Sequence, residues 1–309
     1  MKKYTYYIAG FILMFAAVLF VASTVWASPT MGRLLSLPFQ SASCGQTGAW
    51  NILVIGSDYA ELRGQRGSDL TRVVHVNFDN QKVATFAFSR DLWVDTSGLG
   101  LTNPTIDATK LGKVFYEART RSSQLVEKDT IVDGTRTAGR MISKNFSVKL
   151  DHYLAIDLNN LAGMIDSLGG LPIDVPTRTT DPYIKIVIPA GQQTLTGAQV
   201  VAYARAIPDS DFDRIQRNNL ILEALQKKIL EPSTLTKLPD MLAKFKNAIA
   251  TDLTTEQIDQ LVCVLESAPA GSMVHELVRK EWTMPGPMGS FQWNKAKVEA
   301  RLKELEYIP

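Results

Sequence analysis

Residues 202–219, AYARAIPDSDFDRIQRNN, set Arg205, Arg214 and Arg217 among Asp209, Asp211 and Asp213. Arginine forks grip phosphate oxygens in pairs, and aspartates hold hard cations such as Mg²⁺. Two other stretches share this character. In GSDYAELRGQRGSD, the apolar run NILVIG delivers Asp58 to its end, and Arg63, Arg66, Ser68 and Asp69 follow. Ligands of open α/β sheets sit at strand ends, so an acid placed there is suggestive. In FSRDLWV, Arg90 and Asp91 interrupt an apolar run, where charges need partners because burying them bare is costly. Together the three stretches supply carboxylates for a cation and arginines for phosphate, with no obvious nucleophile of the protein's own. That set suits transfer of a phosphoryl group to an outside hydroxyl, in which the protein positions and neutralises. The plainer reading of residues 202–219 is a mixed-charge helix start, since aspartates also cap helices.

Other chemistries find no support. DSDFD imitates an EF-hand start, but the sixth loop position is Arg214 rather than Gly and the twelfth is Leu220 rather than Glu. No Walker loop, GxGxxG or GxSxG occurs, and His75, His152 and His275 lack metal-ligand spacing. His75 and His152 lie in or beside strand patterns and read as structural. The net charge of +2 implies no bulk nucleic-acid or acidic partner.

The elements that must position these charges read as strands interleaved with helices. Residues 51–56 form a short buried strand ending at Gly56, and residues 73–77 and 82–88 pair about a turn at Asp79-Asn80. Residues 150–156 read as a strand, followed by a helix over 159–168 that stops at Gly169-Gly170. Extended segments at 171–175 and 184–188 lead to helices over 197–204 and 215–230. The pattern implies an α/β fold, an α/β/α sandwich with a central mixed sheet. The apolar helix faces would serve a core or a lipid slot alike. Beyond Pro232, residues 235–250, 255–265 and 294–305 read as helices, capped by Ser233 or Thr234 and by Thr254. This tail reads as a peripheral helical extension, residues 231–309, of a main domain over 49–230.

Lys2 and Lys3 precede an uncharged run, residues 6–27, long enough to cross a bilayer at about 20 residues of 1.5 Å each. The run predicts one transmembrane anchor behind a five-residue cytoplasmic stub, residues 1–5, with everything after residue 27 outside the cytoplasm. A cleavable signal peptide competes, through Val25 and Ala27. Residues 28–48, rich in Ser, Pro and Gly, form a linker. Cys44 and Cys263 make one disulfide possible, and sequence does not decide whether they meet.

At this point the chain resembles the LytR-CpsA-Psr family of bacterial cell-envelope proteins. The matching pieces, in the family's order, are the N-terminal span, NILVIGSD, SDLTRVVHVNFDNQKVATFAFSRDLWV, DHYLAIDLNNLAGMIDSLGGLPIDVP and IPAGQQTLTGAQVVAYARAIPDSDFDRIQRNNLILEAL. The resemblance implies an α/β/α sandwich with an apolar pocket for a polyprenyl tail. It also implies a Mg²⁺-dependent phosphotransferase that moves a glycopolymer from a polyprenyl pyrophosphate carrier to peptidoglycan, at the membrane. Carried over by position, Asp58 and Asp69 are the Mg²⁺-associated carboxylates, and Arg90 with Asp91 is the Arg-Asp pair. Arg205, Arg214 and Arg217 hold pyrophosphate, joined by Arg66 and Asn218. Asp58 or Asp91 would act as base. The chain departs from the family at Gly67, Ser89, Ile207 and Asn218, where relatives carry arginine, proline, arginine and glutamine, and its Lys113, Val114, Phe115 match the family's Lys-Ile-Asn element weakly. The alternative implied by those departures is a non-catalytic binder of polyprenyl phosphates or wall polymer. Transcription regulation, an older label of the family, is disfavoured by an exported domain without a basic DNA-reading helix.

Overall fold

The computed structural model describes residues 44–57, 68–101, 107–121, 127–181, 185–206, 210–229, 231, 249–268 and 273–309. The expected anchor at 6–27, most of the linker, and the loop carrying Asp58 and Arg66 lie outside them. Among the described residues no helix is long and apolar enough to cross a membrane.

The chain opens with β1 (Ala49–Ser57), β2 (Ser68–Asn77) and β3 (Lys82–Ala87), each antiparallel to the next. Short paired strands β4 (Trp93–Asp95) and β5 (Ala108–Lys110) lead into α1 (Leu111–Arg121) and α2 (Glu127–Phe146). Then come β6 (His152–Asp157), α3 (Leu158–Ser167), β7 (Leu171–Val175), the pair β8 (Thr179–Thr180) and β9 (Val187–Ile188), and β10 (Gly191–Leu195), which pairs with β7. Helices α4 (Gly197–Arg205) and α5 (Asp211–Ile229) follow. Further along come β11 (Ile249–Thr251), α6 (Thr255–Ser267), β12 (Val274–Leu277), the hairpin of β13 (Thr283–Pro285) and β14 (Phe291–Trp293), and α7 (Lys295–Glu304).

Six strands form one mixed sheet in the order β11-β6-β1-β2-β3-β12, with β1 parallel to β6 and β3 parallel to β12. Strand alternation divides its side chains between two layers, because successive residues point to opposite faces. Leu53, Ile55, Val73 and Phe86 pack into one core with Leu111 and Phe115 of α1, Met141 and Ile142 of α2, and Leu302 of α7. Ile52, Val76 and Val83 face the other way, toward Met164 of α3 and Ile258 and Leu261 of α6. Helices on both faces of a mixed sheet match the expected fold class.

Two expectations need correction. The tail after residue 231 is neither peripheral nor wholly helical. Ile249 and Ala250, expected in a helix, form an edge strand on β6, and β12 closes the opposite edge. Tyr307, only 2% exposed, donates its hydroxyl to the Val73 carbonyl at 3.2 Å. The core would be open at these positions without them, so burial overrides the helical pattern. The helix expected from residue 215 begins instead at Asp211, because Ser210 caps it: the Asp213 amide donates to the Ser210 hydroxyl at 3.3 Å. Cys44 and Cys263 do pair, tying the start of the domain to α6.

Candidate functional site

One end of the sheet gathers the charged stretches. Parallel β1 and β6 finish side by side at Ser57 and Asp157, and β2 begins opposite Ser57 at Ser68. The pairing steps from Gly56↔Leu70 to Ser57↔Ser68, so a bulge falls at Asp69. Bulges of this kind interrupt pairing beside active sites. Strand β3 leaves at the same end: the Phe88 amide donates to the Thr71 carbonyl at 3.0 Å, and Ser89, Arg90 and Asp91 follow. Gly112 locks α1 onto this corner. A methyl group there would lie 2.8 Å from Arg90 Cβ and 3.2 Å from the Ser68 carbonyl oxygen. The sheet thus brings the backbone of Asp69 and the Arg90-Asp91 pair to one corner, next to the strand end from which the loop with Asp58 departs.

Asp211 is the hub of that corner. Its buried carboxylate accepts the Ser89 hydroxyl, the Arg90 amide at 3.0 Å and Arg214 Nε at 2.7 Å, with Arg90 Nε 3.8 Å away. Ser89, which stands where the resembled family carries proline, therefore supplies a donor that proline lacks. Arg214 is 1% exposed and sits against Asp211. Arg217, 8% exposed, donates to the carbonyls of Tyr203 and Ala206, tying α5 to the end of α4. Both arginines direct these donors inward, to the protein. Asp91 is held by Lys110 Nζ at 2.8 Å, and Lys110 also donates to the Gly289 carbonyl at 3.1 Å. Lys110 was not marked by the sequence, since a lysine at the end of a three-residue strand carries no local signal.

Beside this corner an apolar cavity of about 240 Å³ lies between the sheet and helices α3 to α6. Gly56, Leu70 and Leu158 line the end nearest the charged corner, with Arg205 and Asn218 in the wall. Ile52, Val74, Val83, Leu253 and Leu265 line its far part. The face-two residues of β1 and β2 thus open onto space at positions where an ordinary core would be filled. Arg72, also in this wall, is 2% exposed and was not singled out by the sequence. Its only sequence signal is a charge on the apolar face of a strand.

Among the described residues no group of three or more His, Cys, Asp or Glu side chains could hold a metal ion. Asp211 is engaged by arginines and Asp91 by lysine, so neither offers a bare carboxylate pair.

The chain matches the LytR_cpsA_psr family over residues 34–306. It is 25% identical to the "Probable cell wall biosynthesis protein LcpB" of Corynebacterium glutamicum over 325 aligned positions, 96% of this chain and 70% of that protein. It is 25% identical to "Regulatory protein MsrR" of Staphylococcus aureus over 217 positions, 69% of this chain, and so spans only 59% of that relative's length. Among solved structures, B. subtilis TagV superposes with a TM-score of 0.65 at 22% identity, covering 85% of this chain and 100% of TagV. A structure titled "TagT bound to LIIa-WTA" superposes with a TM-score of 0.62 at 19% identity, covering 88% and 93%. At such identities the likeness establishes the fold.

Proposed function

The chain belongs to the LytR-CpsA-Psr family, and on that premise we propose that it is an extracytoplasmic phosphotransferase that moves a glycopolymer from a polyprenyl pyrophosphate carrier to peptidoglycan. The observation that carries this reading is an apolar cavity whose Arg205 and Asn218 wall adjoins the corner built from Arg90, Asp91 and Asp211. A lipid-linked pyrophosphate needs both, a dry slot for its chain and cations for its phosphates. TagT, which shares the fold, was solved bound to LIIa-WTA. The disulfide between Cys44 and Cys263 supports an oxidising compartment, and the run at 6–27 supports a membrane anchor.

In this reading the polyprenyl chain lies in the cavity and its pyrophosphate meets Arg90, Arg205 and Asn218, with Arg66 a further proposed ligand. A peptidoglycan hydroxyl attacks the sugar-linked phosphorus. The new P–O bond forms as the bond to the bridging oxygen breaks, and polyprenyl phosphate leaves with the charge that the arginines stabilise. Arg214 and Arg217, placed among the phosphate ligands by resemblance, act in this scheme by holding Asp211 and the α4–α5 junction in place. The hydroxyl proton passes to a carboxylate. Lys110 holds Asp91, which leaves Asp58 as the better base. Asp58 and Asp69 are the proposed Mg²⁺ ligands, and the bound ion would neutralise phosphate charge.

The test supplies the purified chain with a polyprenyl pyrophosphate-linked oligosaccharide and peptidoglycan, and reads polyprenyl phosphate release and wall-bound glycan. Wild type should produce both, and Arg205→Ala should lower transfer by about a hundredfold, as expected for a charge-stabilising group. Lipid binding with no transfer, at any divalent cation concentration, would replace this reading by the non-catalytic binder. The inward donors of Arg214 and Arg217 are the observation that favours that second reading.

A further inference from the structure

Arg72 is a buried cation in the wall of a mainly apolar cavity. On β2 it shares a face with Leu70 and Val74, all three in the cavity lining. It lies one strand repeat, about 7 Å, inside Leu70. Its two terminal nitrogens donate to Thr85 Oγ1 and Asn219 Oδ1, each at 2.5 Å. Both acceptors are neutral. The remaining donor, Nε, is fully buried and has no hydrogen-bond partner. Among the described residues no carboxylate pairs with Arg72.

The groups around it supply no negative charge either. Thr85 Oγ1 also meets His275 Nδ1 at 2.9 Å, and burial together with the Arg72 charge pulls the His275 imidazole down to about 4, so it is neutral near pH 7. Burial lowers the Arg72 guanidinium only to about 10, so it stays protonated. An uncompensated buried charge is among the costliest arrangements in a protein interior, and a purely structural arginine is ordinarily given a carboxylate. Here the side chain forms part of a cavity wall instead.

We propose that Arg72 is an oxyanion-binding subsite in the cavity wall, and that the cavity takes a single-chain amphiphile whose carboxylate or phosphate monoester is drawn to the Arg72 guanidinium. The alkyl chain runs along the apolar lining formed by Ile52, Val54, Leu158 and Leu225. The inference rests on the reading of the cavity as a lipid slot. It adds an anion site deeper than the charged corner, and it does not require that the protein transfer anything.

The experiment is equilibrium dialysis of the full chain in non-ionic detergent against radiolabelled decanoate, decyl phosphate and decanol, at one detergent concentration so that micelle partition cancels. Wild type should take at least one of the two anions about tenfold or more tighter than decanol, the scale of a hydrogen bond to a charged group. A preference for decyl phosphate would assign the site to phosphate lipids, and one for decanoate to fatty acids. Arg72→Met should bring the preferred anion to parity with decanol while decanol binding persists. Arg72→Gln, which keeps a hydrogen-bonding group toward Thr85 and Asn219 without the charge, should do the same and serves if Arg72→Met does not fold. Equal binding of all three ligands by wild type, or an undiminished anion preference in a folded neutral variant, overturns the proposal. A chain that transfers glycopolymer yet shows no anion preference keeps the proposed function and sinks the subsite. A chain that shows the preference and transfers nothing does the reverse.

Discussion

Replacing Asp211 with alanine should destabilise the protein far more than replacing its principal partner, and the difference follows from what each change leaves behind. Asp211→Ala strands Arg214, 1% exposed, without its carboxylate, and removes the acceptor of the Ser89 hydroxyl and the Arg90 amide. Breaking a buried pair from the acidic side in this way costs about 3–5 kcal/mol. Arg214→Met leaves Asp211 with the Ser89 hydroxyl and Arg90 amide still donating, so its cost should be nearer 1–3 kcal/mol, the price of one unpaired polar group. In the double variant no orphan guanidinium remains. Its loss should therefore fall short of the summed single losses by about 2 kcal/mol or more, which is the coupling of the pair. The assay is urea unfolding of the purified protein, wild type and three variants, followed by fluorescence and circular dichroism with common slopes. At roughly 2–4 °C per kcal/mol the Asp211→Ala midpoint in a thermal scan should drop by about 10 °C. A coupling below about 0.5 kcal/mol would show that Asp211 and Arg214 act independently, and the hub assigned to this corner would have to be given up.

Reduction of the Cys44–Cys263 bridge, which spans 219 residues, should lower the melting temperature, with chain entropy putting the loss at about 5 kcal/mol as an upper figure; identical melts with and without reductant would contradict this. Gly112→Ala places a methyl group 2.8 Å from Arg90 Cβ, so transfer activity should fall by about tenfold while stability falls by only about 1–3 kcal/mol, a split that kinetics and unfolding on one preparation would reveal. His275 sits at about 4, below its ordinary 6.5, because burial and Arg72 disfavour its charged form. The unfolded chain then binds the proton more readily, so stability is full above about 6.5 and declines as pH falls toward 4. His275→Gln should flatten that part of a stability-against-pH curve, and an unchanged slope would argue that the imidazole is protonated in the fold.

What the sequence determined by itself was what near neighbours in the chain decide. A short apolar run over residues 51–56 ending at glycine marks β1, left-handed Gly169 and Gly170 stop α3, with φ of 79° and 86°, and Thr254 caps α6 through a reciprocal bond with Gln257. The same local grammar put Asp58 and Arg90 at strand ends and Asp69 in a loop, whereas the sheet takes Asp69 into β2, at the end where Arg90 follows β3. Elements whose existence depends on distant partners were hidden. Three residues of β11 and four of β12 are too short to carry a period, and they are strands because edges of the sheet were there to be paired. The roles of the charges were hidden for the same reason. An aspartate at a helix start does not announce that Ser89, Arg90 and Arg214 will converge on it, nor does a charged cluster foretell that Arg214 and Arg217 turn inward while Lys110 takes Asp91. Arg72 makes the distinction plainest. Its sequence position says only that a charge falls on an apolar strand face, whereas its setting, a buried cation in a cavity wall, arises when helices from three separate parts of the chain close over that face.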